Sequence, residues 1–149
     1  MSFYKKDMKR FIRFMAVVTA LWILPALTLG ENQYLLMQPI GDAVTTGHLK
    51  GFKDICLEKI SVNFESPFNL TGFIYTAKFV EDFTVIYSQY EVSRLEWASK
   101  QIENEFAVQS LNLILKNKRS EKTVYYKLIF FMTKTNKDWK IYYFRGLKI

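Results

Sequence analysis

The chain has 149 residues, half of them apolar and 17% aromatic, enough to pack one domain and too apolar for a disordered segment. Cys56 is its single cysteine, which excludes an internal disulfide framework and leaves stability to the hydrophobic core. The formal charge of +7 is divided along the chain: net +4 over residues 1–13, −5 over 31–111 and +8 over 112–149. Such a split argues for complementary surfaces, within the molecule or between copies, over one phosphate-binding face.

Residues 1–13 carry Lys5, Lys6, Lys9, Arg10 and Arg13 against Asp7. Residues 14–30 then run for 17 positions without a charge, and Thr19 and Thr28 are too few to make a polar face. At about 1.5 Å per residue the segment covers ~25 Å, and reaching back to Phe11 with Arg13 snorkelling brings it to the hydrocarbon thickness. The sequence predicts a retained transmembrane helix over 14–30, with Phe14, Leu21, Trp22, Ile23, Leu24 and Leu29 among its lipid-facing residues. The preceding basic residues set the N-terminus on the cytoplasmic side and the body outside. Two alternatives stand beside it, a cleaved signal peptide ending at Gly30 and a buried helix of a soluble domain.

Residues 31–47, with Pro39, Gly41 and Gly47, read as a connector, and 48–149 as an exported α+β domain. In "HLKGFKDICLEKISVNF", Leu49, Phe52, Cys56 and Ile60 keep helical spacing, which predicts an amphipathic helix. Ser66-Pro67 has the form of a helix start, and "FNLTGFIYTAKF" follows with weaker helical character. "EDFTVIYSQYEVSRLEWASKQIENEF" predicts one long helix, with Phe83, Ile86, Tyr87, Tyr90, Trp97 and Ala98 on its apolar side and Glu81 and Asp82 in its first turn. After Glu105 the period changes. "AVQSLNLILKN", "TVYYKLIFFMT" and "DWKIYYFRGL" predict three antiparallel strands joined by the polar hairpins "KNKRSEK" and "TKTNKD". In the last strand, Trp139, Ile141 and Tyr143 alternate with Lys140, Tyr142 and Phe144. Helices followed by strands imply an α+β domain with the helices on one face of a curved antiparallel sheet.

Chemistry is thinly provided for. His48 is the single histidine, and with Cys56 eight residues away it makes too small a set for a metal or a nucleophilic dyad. "GHLKG" is not a phosphate loop. The acid pairs Glu81/Asp82 and Glu103/Glu105 read as solvated helix-terminal groups, not as a general acid and base. Asn69-Leu70-Thr71 fits a glycosylation acceptor, relevant only in a eukaryotic secretory pathway. No catalytic, cofactor or metal residue is expected. The cluster Lys116, Lys118, Arg119, Lys122, Lys134, Lys137 and Lys140, interleaved with Tyr125, Tyr126 and Tyr142, has the composition of a single-strand nucleic-acid platform. Hairpin lysines are the plainer reading, with an anionic headgroup or acidic protein surface ahead of nucleic acid as the contact. Tyr125, Phe131, Tyr142 and Phe144 are expected to line the concave sheet face, as a pocket or a subunit interface. With Lys118 and Arg119 they form the candidate interface.

The order of basic N-terminus, single apolar span, "LKGFKDICLEKISVNFESPFNLTGFIYTAKFV", the stretch "EDFTVIYSQYEVSRLEWASKQIENEF" and a meander ending "DWKIYYFRG" resembles TraE-type proteins, bitopic inner-membrane components of conjugative type IV secretion systems. The resemblance implies a cystatin-like roll of the nuclear-transport-factor-like superfamily, held in the periplasm by its anchor. It further implies a scaffold without chemistry of its own, acting by homo-oligomerisation and by contact with other secretion-apparatus proteins. The rival is an exported binding module of the same roll, with the leader removed and a small ligand in its cone.

Overall fold

The computed structural model describes residues 34–149. Three helical pieces come first: α1 (Met37–Thr46), a short 3-10 turn (Leu49–Gly51) and α2 (Phe52–Ile55). Then come β1 (Cys56–Phe64), β2 (Leu70–Tyr75), α3 (Thr76–Tyr87), β3 (Tyr90–Ile102), β4 (Phe106–Asn117), β5 (Thr123–Thr135) and β6 (Asp138–Lys148). The strands form one sheet in the order β2-β1-β6-β5-β4-β3. Every pairing is antiparallel except β1 with β6, which run parallel, so the sheet is mixed and not purely antiparallel as the sequence suggested.

The α+β class and the C-terminal meander agree with expectation; the N-terminal half departs from it. Three more strands are present than the sequence pattern predicted. Residues 37–46, read as part of a connector, form a helix that buries Ile40, Ala43 and Val44 and ends on Gly47 in a left-handed conformation. Helix is confirmed only over the first part of the 48–64 stretch; from Cys56 the chain is extended. Ser66-Pro67 begins no helix but sits in the turn between β1 and β2. The long helix anticipated over 81–106 stops at Tyr87, and β3 takes its second half. Glu81 and Asp82 therefore lie inside α3, where Lys78 pairs with Asp82 at 2.6 Å on an exposed surface.

A physical reason accounts for these helical misreadings. In β3 the register slips at Ser93 and again at Ala98, each an extra residue facing β4. The first bulge stretches a spacing of two into three, so Tyr90 and Trp97 share one face seven residues apart, an interval that a helix also gives. In β1, Cys56 and Ile60 are both buried four residues apart, a spacing that shares a face in a strand as well as in a helix.

The helices cover one face of the sheet, called inner here. All the fully buried apolar strand residues lie on it, including Ile60, Val62, Phe64, Leu111, Leu113, Tyr126, Leu128, Phe130, Ile141 and Phe144. Aromatic rings fill its centre. Phe144 stacks on Phe130 at 4.6 Å and on Phe52 at 5.7 Å, and Phe64 meets Phe83 at 4.8 Å. Burial pushes the Cys56 thiol up to about 12, partly offset by nearby Lys140, so it is protonated and unreactive at neutral pH.

One close approach fixes the parallel seam. A Cβ on Gly146 would stand 2.5 Å from Phe64 Cδ1 and 2.6 Å from Tyr126 Cε1. Without it, the Tyr126 hydroxyl crosses to donate to the Glu65 carbonyl at 2.9 Å, and Glu65 N–H donates to the Gly146 carbonyl at 3.0 Å. Burial, followed by the Glu65 charge, raises the Tyr126 pKa, while its bond to the Glu65 carbonyl acts the other way. Gly146→Ala is therefore expected to lower stability by about 1–3 kcal/mol through overpacking against two buried rings, Phe64 and Tyr126, that have no room to retreat. Thermal denaturation of the variant beside wild type measures this, and an unchanged melting temperature would show the seam to be soft.

Candidate interface on the outer sheet face

The opposite sheet face carries no packed helix among the described residues, and Ser110 is the one residue on it that is buried. The strand registers place its side chains in rows. One row runs Phe73, Ser61, Tyr143, Phe131, Val108, Gln101 across all six strands. The next runs Thr71, Asn63, Arg145, Ile129, Ser110, Ser99, and a third brings Leu147, Lys127, Asn112 and Glu96 together. Tyr125, Ile114 and Arg94 follow.

At the centre Phe131 and Tyr143 stack at 4.9 Å, both half-buried by their neighbours alone. Tyr125 is 53% exposed. In these rows Arg94 is paired with Glu96, while Lys127 and Arg145 are each flanked by an asparagine on one side and an aliphatic residue on the other. Aromatic and arginine enrichment with few acids is the composition of an interface core, not of ordinary solvated sheet. Toward the β3 edge the Ser99 and Ser110 hydroxyls bond each other at 2.7 Å.

The anticipated interface residues are only partly brought together here. Tyr125 and Phe131 lie on the outer face. Phe144 does not: it is buried in the core beneath Phe130 and Phe52. Tyr143, not singled out from the sequence, takes the exposed position. The cause is the irregularity in β6, where Phe131 faces Tyr143 but Met132 faces Ile141, leaving Tyr142 as the extra residue. Beyond it the simple alternation reverses. A run of "IYYF" with two consecutive tyrosines was the available hint.

Lys118 and Arg119 sit in the β4–β5 hairpin. Lys118 is a structural tie: its main-chain N–H donates to the Gln89 carbonyl at 2.9 Å and its amine to the Ser88 carbonyl at 2.8 Å. Arg119 is exposed, its N–H capped by Asn117 Oδ1 at 3.0 Å. The basic cluster as a whole is divided. Lys116, which pairs with Glu121, lies at the hairpin end with Lys118, Arg119 and Lys122, whereas Lys134, Lys137 and Lys140 lie at the far end of β5, about 40 Å away along the strand. No continuous basic track joins them.

Two other places bear on chemistry. A groove of about 1100 Å³ lies between the 47–53 segment and α3, lined by His48, Lys50, Lys53, Tyr75, Lys78 and Glu81 among others. Among the described residues no three His, Cys, Asp or Glu side chains gather into a metal site. On the inner face Gln109 is fully buried between Lys100 and Phe130 in register, and neither amide atom finds a hydrogen-bond partner. The predicted transmembrane residues Phe14, Leu21, Trp22, Ile23, Leu24 and Leu29, with the basic segment 1–13, lie outside the described residues. Within these no helix is long and apolar enough to cross a membrane.

No protein-family profile matches the chain, and no curated protein matches it in sequence. Solved structures do. A DUF4783 family protein from Bacteroides uniformis is similar with a TM-score of 0.63 at 12% identity, covering 75% of this chain and 95% of its own. A second DUF4783 protein, from Bacteroides ovatus, gives 0.62 at 13% identity over 75% and 94% of the two chains. An NTF2-like protein from Cytophaga hutchinsonii gives 0.54 at 11% identity over 75% and 91%. The fold is thus NTF2-like: a curved six-stranded sheet with a few helices. At these identities the likeness establishes the fold alone.

The two sheet faces differ in their expected response to truncation. Phe144→Ala is expected to cost about 3–5 kcal/mol, as large-to-small changes in a packed core do. Tyr125→Ala is expected to stay within about 0.5 kcal/mol, typical of an exposed site. Chemical denaturation of both variants checks this, and equal costs would contradict the assignment of faces.

Proposed function

We propose that the protein is an assembly component without catalytic activity, self-associating through the outer face of its sheet. The observation that carries this reading is the half-buried Tyr143–Phe131 stack with Val108 and Ile129 beside it and Tyr125 and Ile114 farther along the same uncovered face, while the inner face is packed with its own aromatics. The finer role comes from the sequence resemblance to TraE-type proteins. In that role the chain is a single-pass inner-membrane protein anchored through residues 14–30, its body periplasmic, bracing a type IV secretion apparatus through copies of itself and other apparatus proteins.

Phe131→Glu with Tyr143→Glu places two charges in the centre of the face without touching the core. The pair is expected to reduce self-association of the full-length chain at least tenfold, read by sedimentation in detergent, with little change in melting temperature. A wild-type chain that sediments as a monomer at all accessible concentrations would refute the reading. Arg119→Glu is the clean probe of an acidic partner, because Lys118 also ties the hairpin to the end of α3. For the anchor, alkaline extraction of membranes and the intact mass of the mature chain decide between a retained span and a leader removed after Gly30.

A second reading, an exported binding module, draws on Gln109. A buried amide with both ends unpartnered is unusual and suits a small polar ligand or an ordered water in the cone. If a ligand binds there, native mass spectrometry of the purified chain is expected to show a bound small molecule that Gln109→Leu abolishes. If none binds, the same change is expected only to stabilise the fold, by about 1–2 kcal/mol.

A further inference from the structure

The sheet has two edges, and they are built differently. The β3 edge is 13 residues long, carries Glu91, Arg94, Glu96 and Lys100, and is bent by bulges at Ser93 and Ala98. Charges and bulges are how an edge is kept from pairing with another chain. The β2 edge has neither. Its six residues, Leu-Thr-Gly-Phe-Ile-Tyr, hold no charge, and their register with β1 is unbroken from Leu70 to Tyr75. Alternate residues of an edge strand direct N–H and C=O groups away from the sheet, so β2 is a template for a further strand. Its outward side chains are also apolar: Phe73 is 71% exposed and Tyr75 52% exposed.

We propose that β2 pairs antiparallel with β2 of a second copy, joining two sheets edge to edge. The proposal adds a second contact to the self-association reading and rests on that reading for its biological role. Three features favour a second copy as the occupant. Charge is the first. The chain carries +7 overall, +8 of it in residues 112–149, but residues 48–84 around this edge hold four Lys and five Asp/Glu, a net of −1. Two copies meet here with less repulsion than at the basic C-terminal strands. Self-complementarity is the second. With Phe73 opposite Phe73 of the second copy about a two-fold axis, Thr71 faces Tyr75 and Gly72 faces Ile74. No like charges oppose each other, and Gly72, with no side chain, leaves room for the facing Ile74. Continuity is the third: Phe73 ends the outer row that runs through Tyr143 and Phe131, so edge pairing extends that row across both molecules. Six residues of strand make a small interface, so this contact is expected to be weak in dilute solution and to act together with the outer face.

Cysteine cross-linking of the full-length chain in membranes tests the pairing. In a Cys56→Ser background, Phe73→Cys puts one thiol on the two-fold axis, where facing strand Cα atoms lie ~4.5–5.5 Å apart, within reach of a disulfide. Mild oxidation is expected to convert Phe73→Cys to a covalent dimer at least tenfold faster than Val85→Cys, an equally exposed site on α3. Adding Ile74→Lys, which brings like charges onto the paired edge, is expected to remove the advantage. Equal rates at positions 73 and 85 overturn the proposal, as does cross-linking at 73 that persists with Lys at 74. Tyr143→Cys reports the outer face separately. Linking at 143 without linking at 73 sinks the edge contact and leaves the outer-face reading standing; the converse pattern does the opposite. If Cys56→Ser perturbs the fold, Cys56→Ala serves as the background.

Discussion

The parallel seam between β1 and β6 depends on one missing methyl group. Gly146 lets Phe64 and Tyr126 close over the backbone of β6, and the Tyr126 hydroxyl then satisfies the Glu65 carbonyl just past the end of β1. Among the described residues this is the one strand pairing that joins the N-terminal hairpin, β1 with β2, to the meander β3–β6. Parallel pairing brings no hairpin of its own to set its register. Here the aromatic packing around Gly146 and the two hydrogen bonds at Glu65 supply it. The Glu65 carboxylate adds a third tie, accepting from Lys148 N–H at 3.2 Å. Once the seam is set, Phe64 stands over Phe144 and Phe83 and can hold α3 against the sheet. At the far end of α3 the Tyr87 hydroxyl donates to the Val44 carbonyl at 2.7 Å, tying α1 into the same core.

Legibility in the sequence follows from how regular each strand is. β4 pairs with β5 without a break, and both were recognised as strands, β4 from its alternation and β5 from its run of β-branched and aromatic residues, although β5 is covered on one face and not on both. β1, β3 and β6 each contain a slip. In β3 the first slip gave an alternating strand an interval that a helix shares, and the true helix α3 just before it supplied the same period without a gap. In β6 the strand was recognised but its faces were exchanged past Tyr142. That one residue moved Phe144 from a surface expectation into the core and brought Tyr143 to the surface. Chain order alone could not reveal the partner register that exposes a bulge. The short β2 was hidden for another reason: six residues with a glycine in the middle offer too little pattern to outweigh the adjoining helix.

The same registers decide where function can reside. The sheet has two faces, and the helix-covered one encloses an interior. Here Phe52, Phe64, Phe79, Phe130 and Phe144 occupy that interior, in contact at 4.6–6.4 Å between ring centres. Gln109 is the lone polar exception among the residues at its centre. A filled cone does not prevent binding, but it shifts the available apolar surface to the outside of the sheet.

An aromatic row on an outer face has a physical cost when left in water, and a chain that needed only to stay soluble would alternate polar residues there as it does along β3. Instead Phe73, Tyr143, Phe131 and Val108 lie in line across four strands, with Ser61 between the first two. The charge that would keep copies apart is concentrated elsewhere, in the two hairpin ends of the meander. On the self-association reading, such a face makes weak contacts that count most when copies are held at high local concentration. Confinement to two dimensions by an N-terminal span would supply that concentration. The proposed face and the proposed tether would reinforce each other, because weak contacts between copies sum to an assembly once diffusion in the third dimension is removed.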